Sequence, residues 1–198
     1  MPLVDRDESV LVVVDTQPGF FAREEPHAAH ARAAVRNAIW LATIATLLEI
    51  PAIVTEEAPG EEGATEPRVL ECLAPGVPVF TKPSFGVAGC PEIVEAILAT
   101  KRSTAVLVGF ETDVCVAQSA IGLKDMGLRT VVVADATFTQ DSVQHEFGLA
   151  RMRQLSVELV SAKGLAYEWM RTVELANEMR ASAQKMGRTP HVAPRAGA

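Results

Sequence analysis

Cysteine, aromatic side chains and long apolar runs are all scarce in this sequence of 198 residues. The three cysteines, Cys72, Cys90 and Cys115, lie far apart and form no C-x-x-C pair, which argues against a disulfide framework and a zinc knuckle. The longest apolar runs have strand length, well short of the roughly 18 residues that span a bilayer. The acidic first residues do not resemble a signal peptide. We therefore expect a reduced, cytoplasmic protein with no membrane partner.

Positive charge is also in short supply, since 18 Lys and Arg face 25 Asp and Glu, for a net charge of −7. An acidic body repels polyanions, so we expect no nucleic-acid partner. The phosphate-binding motifs G-x-G-x-x-G and G-x-x-x-x-G-K-[ST] are absent as well. The sequence therefore predicts no cofactor and favours a small-molecule substrate.

Short apolar runs rich in β-branched residues alternate with amphipathic stretches. The runs cover residues 10–14, 52–55, 77–81, 104–108, 130–133 and 157–160. They are continuously apolar, which is typical of parallel strands covered on both faces. Helical patterns cover residues 35–48, 91–98, about 114–126, a segment after Asp141, and about 163–180. The sequence therefore predicts an α/β fold: a doubly wound, mostly parallel, six-stranded sheet with helices on both faces, Rossmann-like.

The length suits one domain, which we place at residues 1–180, followed by a C-terminal tail or arm at residues 181–198. The segment between Pro59 and Glu71 is rich in Gly, Pro and Glu and is expected to be a loop or a short helix. Trp169 and Met170, near the C-terminal end, are expected to pack on a neighbouring copy in a homo-oligomer.

Three ionisable residues stand at or just after the carboxyl ends of predicted strands, where ligands bind in such sheets. Asp15 ends the first strand, Lys82 ends the third, and Cys115 lies six residues after Gly109 at a predicted helix start. Taken singly, such residues usually cap turns, remain solvated or pack in the core. Together they suggest a nucleophilic site, because a helix start and an ammonium favour a thiolate, and a carboxylate can accept and return its proton.

Three segments also carry a resemblance to a known family. Residues 13–20 (VVDTQPGF), 79–82 (VFTK) and 109–116 (GFETDVCV) are similar in type, order and spacing to motifs of the isochorismatase-like hydrolases. The resemblance covers roughly residues 8–175 and implies an isochorismatase-like fold, an Asp15–Lys82–Cys115 triad and a thioester intermediate with amide substrates. It also implies a cis peptide bond between Phe110 and Glu111, an oxyanion hole made by the Glu111 and Cys115 amides, and a homo-oligomer (dimer or larger).

Other residues are weaker candidates. Phe20, Phe21 and Phe85 are candidates for lining a substrate pocket, with core packing as the alternative. His145 is expected to be a partner contact or a satisfied surface histidine. The remaining expectations are that Thr112 and Asp113 fix the turn before the nucleophile, and that Cys72 and Cys90 are inert.

The sequence departs from the metal-dependent nicotinamidases of this family. The place of their Asp-x-His arrangement reads Thr55-Glu56-Glu57-Ala58-Pro59, and no histidine occurs between His30 and His145. We therefore expect no metal, and we interpret the acidic run as a solvated loop formed by Glu56, Glu57, Glu61 and Glu62.

The leading hypothesis is a metal-independent cysteine hydrolase that cleaves the C–N bond of a small amide or carbamoyl compound. Two alternatives stay open. One is an isochorismatase-type vinyl-ether hydrolase that uses Asp15 as an acid and does not need the thiol. The other is a non-enzymatic scaffold with a relic site, because fold alone does not decide function.

Overall fold

A computed structural model of the protein describes residues 2–21 and 28–187. Within these residues the strands are β1 (Ser9–Val14), β2 (Ala52–Glu57), β3 (Val79–Lys82), β4 (Thr104–Phe110), β5 (Arg129–Phe138) and β6 (Glu158–Val160). They form one sheet in the order β3-β2-β1-β4-β5-β6, with every neighbouring pair parallel.

Helices cover both faces of this sheet. They are α1 (Pro18–Phe21), α2 (Ala28–Leu47), α3 (Pro59–Glu62), α4 (Pro67–Leu70), α5 (Pro91–Ala99), α6 (Ala117–Asp125), α7 (Ser142–Gln154), α8 (Ala162–Met170) and α9 (Val173–Lys185). A π-helical turn, Thr112–Val116, precedes α6, and 3-10 turns occur at Arg6–Glu8 and Val87–Gly89. This architecture confirms the predicted doubly wound α/β fold. In the described part of the chain, no helix has the length and apolar character needed to cross a membrane.

The central strand β1 shows why the apolar runs have no alternation. All six of its residues are buried. Leu11 belongs to the same core cluster as Leu41 of α2 on one face, and Val12 to the same cluster as Ile93 of α5 on the other. Each fully buried side chain of this kind stabilises the fold by roughly 1.5–3 kcal/mol, so both faces of the strand must remain covered.

The strand order reverses between β1 and β4, and the carboxyl ends of the strands meet at this switch point. Gly109 lies at this point with φ +122°, and a Cβ there would be 1.8 Å from the Val14 carbonyl oxygen. Only glycine therefore allows β4 to approach β1 this closely. The close approach brings the segment after β4, which carries Cys115, to the end of β1.

The sequence predicted one helix over residues 163–180, and this is wrong, because the structure has two. Arg171 adopts a left-handed conformation with φ 63°, which ends α8. Thr172 then begins α9, its side chain accepting a hydrogen bond from the Leu175 amide. Helix α9 continues to Lys185, so the first residues of the predicted tail or arm are helical, and residues 188–198 lie outside the described residues. The division at residue 181 stays a prediction.

Trp169 and Met170 are not available to a neighbouring copy, contrary to expectation. Both are buried in the core of the same chain. The Trp169 indole also donates a hydrogen bond to Ser9 Oγ at 3.1 Å. The amphipathic pattern identified an apolar stripe correctly, but it could not show that this stripe packs against the sheet.

Candidate active site

The structure brings together the three residues that the sequence placed at strand ends. Lys82 Nζ lies 2.7 Å from Asp15 Oδ2 and 3.5 Å from Cys115 Sγ. All three are buried. Their convergence follows from the fold, because β1, β3 and the turn after β4 end at the same edge of a parallel sheet. The catalytic roles of these residues stay predictions.

Asp15 is held firmly at the end of β1. Its backbone has φ 45° and donates from its amide to the Thr55 carbonyl at 3.0 Å. Its Oδ1 accepts a hydrogen bond of 2.8 Å from Thr55 Oγ1. Burial raises the pKa of the Asp15 carboxyl, and the Lys82 ammonium offsets only part of that effect.

Lys82, the last residue of β3, is buried as a cation. Burial lowers the pKa of the Lys82 ammonium, but the charge and hydrogen bond of Asp15, with Cys115 and Glu57, outweigh this effect and hold it above its ordinary value. Its Nζ also donates to the Ser84 carbonyl at 3.1 Å. The lysine therefore remains charged while buried, because it is paired.

Cys115 lies in the π-helical turn before α6. Burial raises the pKa of its thiol, and the Asp15 and Glu57 carboxylates raise it further, by more than the Lys82 ammonium lowers it. Lys82 favours the thiolate, as expected, but burial and the two carboxylates outweigh its effect on the pKa of the thiol. The pKa of the Cys115 thiol is therefore held above its ordinary value.

Glu57 is the site residue that sequence reasoning missed. Its Oε2 accepts a hydrogen bond from Cys115 Sγ at 3.0 Å and lies 3.6 Å from Lys82 Nζ. The interpretation of Glu56 and Glu57 as a solvated loop is wrong, since both lie in β2 and Glu56 is buried, accepting bonds from the Thr65 amide and hydroxyl. The available signal was the strand-end position that Glu57 shares with Lys82.

The side chain of Gln17 holds the main chain of Glu57. Its Nε2 donates to the Glu57 carbonyl at 2.9 Å and to the Gly63 carbonyl at 2.6 Å. Its Oε1 accepts from the Glu57 amide at 2.8 Å. Gln17 is fully buried, so this clamp connects the segment after β1 rigidly to the end of β2.

The three candidate pocket phenylalanines have different environments. Phe20 and Phe21 are half-buried and pack against the cluster that contains Phe110. The Phe21 and Phe110 ring centroids are 5.7 Å apart. Phe85, in contrast, is 52% exposed. A role in substrate binding stays a prediction for all three.

The turn that carries Cys115 is hydrogen-bonded to Thr139, directly after β5, and to His145 of α7. The Thr112 amide donates to Thr139 Oγ1 at 2.9 Å, and Thr139 Oγ1 donates to Asp113 Oδ1 at 2.7 Å. Thr112 Oγ1 lies 2.8 Å from His145 Nδ1, which satisfies that histidine. Burial lowers the pKa of His145 below its ordinary value. Thr112 and Asp113 therefore fix the turn, as expected.

The peptide bond between Phe110 and Glu111 is cis, the geometry that the resemblance implies. The Glu111 carbonyl accepts hydrogen bonds from the Val114 and Val116 amides at 3.3 Å and 3.0 Å. These bonds close the π-helical turn and fix the backbone between Glu111 and Cys115.

Asp15, Glu57 and Cys115 have ligand atoms within 4.8 Å of one another and could in principle hold a metal ion. The donor set does not fit a resident metal, because the Lys82 ammonium lies 2.7 Å from Asp15 and 3.6 Å from Glu57 and would repel a cation. The metal-free site stays a prediction.

Comparison with known proteins places the chain in a family. The isochorismatase domain matches residues 9–164. The cattle protein "Isochorismatase domain-containing protein 2" is 31% identical over 161 residues, which cover 81% of this chain and 74% of that protein. The chain therefore belongs to the isochorismatase family of α/β hydrolases.

Solved structures share the fold across nearly the whole chain. A ribonuclease from Caenorhabditis elegans is 26% identical, with a TM-score of 0.80 and complete coverage of both chains. An octameric hydrolase of unknown specificity from Escherichia coli is 22% identical, with a TM-score of 0.80, covering 94% of this chain and 95% of that one. This second likeness shows the fold alone.

Proposed function

We propose that this protein is a metal-independent cysteine hydrolase that cleaves the C–N bond of a small amide or carbamoyl compound. The observation that carries the proposal is the Cys115 thiol lying against both a paired lysine and carboxylates, with Lys82 at 3.5 Å and Glu57 at 3.0 Å. A protonated thiol in this setting is a latent nucleophile with proton acceptors already in place.

In the acylation step, Cys115 Sγ attacks the carbonyl carbon while a carboxylate takes the thiol proton. Asp15 is our candidate for this acceptor, as its raised pKa suits it to exchange protons. The Lys82 ammonium stabilises the sulfur as it becomes negative. The proton then passes to the leaving nitrogen, the C–N bond breaks, and an amine or ammonia departs from a Cys115 thioester.

The negative charge on the carbonyl oxygen needs donors during both steps. The amides of Glu111 and Cys115 are the candidate oxyanion hole, and removing one donor of this type typically costs about 100-fold or more in rate. In deacylation, Asp15 accepts a proton from water as that water attacks the thioester. The acid product leaves and the proton returns to Cys115.

The negative charge of the site argues against two other activities, cleavage of a phosphodiester and hydrolysis of a vinyl ether. Two carboxylates and one ammonium repel a phosphodiester, as does the net charge of −7. The charge of the site therefore disfavours, for this chain, the ribonuclease activity named for the nematode relative. Isochorismate, a dicarboxylate, would meet the same repulsion. This disfavours the hypothesis of an isochorismatase-type vinyl-ether hydrolase.

We also propose a homo-oligomer in a reducing, cytoplasmic compartment. The oligomer is supported by the octameric likeness, and the compartment by three free cysteines. Sedimentation at micromolar concentration tests the first, and a monomer there would refute it.

The function is tested by following ammonia or amine release from a panel of small amides with the wild type and Cys115→Ala. We expect turnover to fall at least about 1000-fold, because no other nucleophile replaces the thiol. Cys90→Ala, which removes another buried thiol, is the matched control and should retain turnover. Mass spectrometry of the acylated Cys115 peptide, with hydroxylamine releasing the acyl group as a hydroxamate and restoring the thiol, identifies the intermediate. Undiminished turnover in a normally folded Cys115→Ala variant would refute the thiol mechanism and favour vinyl-ether chemistry. If the wild type turns over no amide of the panel although its Cys115 thiol reacts with thiol reagents, the scaffold hypothesis would be favoured.

A further inference from the structure

Glu57 differs from the other charged groups of the site in being accessible. Its side chain is 24% exposed, whereas those of Lys82 and Asp15 are 0% exposed. The thiol therefore has a buried ion pair beside it and a partly exposed carboxylate at 3.0 Å. A ligand that enters the site and reaches Cys115 meets this carboxylate.

We propose that Glu57 determines specificity, selecting amides that carry a positively charged nitrogen (ammonium, amidinium or guanidinium) close to the scissile carbonyl. The carboxylate binds that nitrogen beside Cys115 and repels substrates that carry a carboxylate in its place. This inference rests on the proposed function for the reaction, but the charge preference belongs to the site itself.

The charge count supports this selection. With the thiol protonated, the carboxylates of Asp15 and Glu57 outnumber the single ammonium of Lys82. Lys82 lies closer to Asp15, at 2.7 Å, than to Glu57, at 3.6 Å. The buried ion pair is therefore complete without Glu57, and the remaining negative charge resides on the partly exposed Glu57 carboxylate.

The position of Glu57 is built rather than incidental. The fully buried Gln17 side chain forms hydrogen bonds with both the backbone amide and the backbone carbonyl of Glu57. The contacts of its carboxylate with Cys115 and Lys82 both use Oε2, and among the described residues none donates a hydrogen bond to Oε1. A charged substrate nitrogen would donate to Oε1 the charge-assisted hydrogen bond that none of the described residues donates to it.

The experiment measures how the charge of a thiol reagent changes its rate with Cys115. Methanethiosulfonate reagents form a mixed disulfide with a thiolate and release methanesulfinate. The full-length protein is treated with the ethylammonium (cationic) and ethylsulfonate (anionic) forms, and modification of the Cys115 peptide is followed by mass spectrometry. The ratio of the two rates, divided by the same ratio for free 2-mercaptoethanol, is the charge preference of the site.

We expect a wild-type preference for the cation that falls about tenfold in Glu57→Gln, as removal of one charge a few ångströms from the thiol in a partly exposed site would give. Glu61→Gln removes the same charge at an exposed position in α3 and should leave the charge preference unchanged. Glu57→Asp keeps the charge and should keep most of the preference, so it serves also if the glutamine variant does not fold.

An equal preference in wild type and Glu57→Gln, or an aspartate variant that behaves like the glutamine variant, would overturn the proposal. These outcomes are distinct from failure of the proposed function. If Cys115→Ala retains amide turnover, the thiol mechanism falls, while the reagent ratio still decides the charge preference. Where turnover is found, Glu57→Gln should raise KM for amine-bearing amides much more than for neutral ones.

Discussion

Asp15 and Glu57 bring the same carboxylate group to Cys115 from the ends of adjacent strands, yet their surroundings differ. Asp15 is fully buried, ion-paired at 2.7 Å and hydrogen-bonded by Thr55 at 2.8 Å. Glu57 is partly exposed and more distant from the lysine, and it accepts the thiol hydrogen bond. Environment can assign two tasks to identical groups. In the mechanism that we propose, Asp15 transfers the proton and Glu57 selects the substrate.

The largest difference between the two carboxylates is expected in how their amide variants lose stability and turnover. Asp15→Asn leaves the Lys82 ammonium without its nearest partner in a buried site, so we expect the free energy of unfolding to fall by about 3 kcal/mol. Amide turnover should fall at least about 1000-fold. Glu57→Gln, at a partly exposed position, should lose no more than about 1 kcal/mol. Urea denaturation of both variants checks this, and equal losses would show that the two carboxylates are not distinguished by burial.

The alkaline stability of the protein should report on the thiol itself. Because the folded-state pKa of Cys115 is raised above 9.0, the unfolded chain loses this proton first as the pH rises. The thiol thus contributes stability that is complete below pH 9.0 and is lost above it, at about 1.4 kcal/mol per pH unit.

Cys115→Ala should lack this decline between pH 9.0 and 10.5, above which the raised pKa of Lys82 adds its own loss in the same direction. Denaturation curves at half-unit steps of pH make the comparison. Parallel declines in the two proteins would mean that Cys115 titrates in the folded state as it does in the unfolded state.

The thiol should also reveal the charge of Glu57. Removing that carboxylate in Glu57→Gln lowers the pKa of Cys115, because a negative neighbour and acceptor disfavours the thiolate. Alkylation by neutral iodoacetamide at pH 8 should then accelerate roughly tenfold, as a shift of one unit gives. Glu61→Gln is the control of equal charge, and an unchanged rate in Glu57→Gln would remove Glu57 from the account of the thiol.

The smallest effect is expected from loosening Asp15 without removing it. Thr55→Val deletes the hydroxyl that donates to Asp15 Oδ1, at a cost of about 1–2 kcal/mol. Turnover should fall several-fold. Thr43→Val, which removes a buried hydroxyl bonded to the Ile39 carbonyl within α2, should leave turnover intact. If both variants turn over equally, Thr55 does not position Asp15.

Much of the fold could be predicted, because its signals are local. Continuous apolar runs such as that of β1 indicate strands covered on both faces, and polar residues directly after them indicate a ligand edge. The break between α8 and α9 was missed because it depends on a left-handed backbone at Arg171, a residue type that carries no signal for it.

Glu57 was missed for a different reason. An acidic run beside Gly and Pro usually marks a solvated loop, and Glu56 and Glu57 fit that composition. Adjacent residues of a strand point to opposite faces, so Glu56 turns to Thr65 while Glu57 turns to Cys115. Where β2 ends, and hence which glutamate meets the thiol, depends on pairing with β1 and β3.

The sequence by itself determined the parallel α/β architecture, the three strand-end residues Asp15, Lys82 and Cys115, and the family, because periodicity and motifs reside in local chemistry. Only the tertiary structure decided the state of the thiol and the second carboxylate. A pKa depends on charges and burial summed over segments far apart in the chain, and here they come from β1, β2 and β3 at once. Those distances exist only after the sheet has formed.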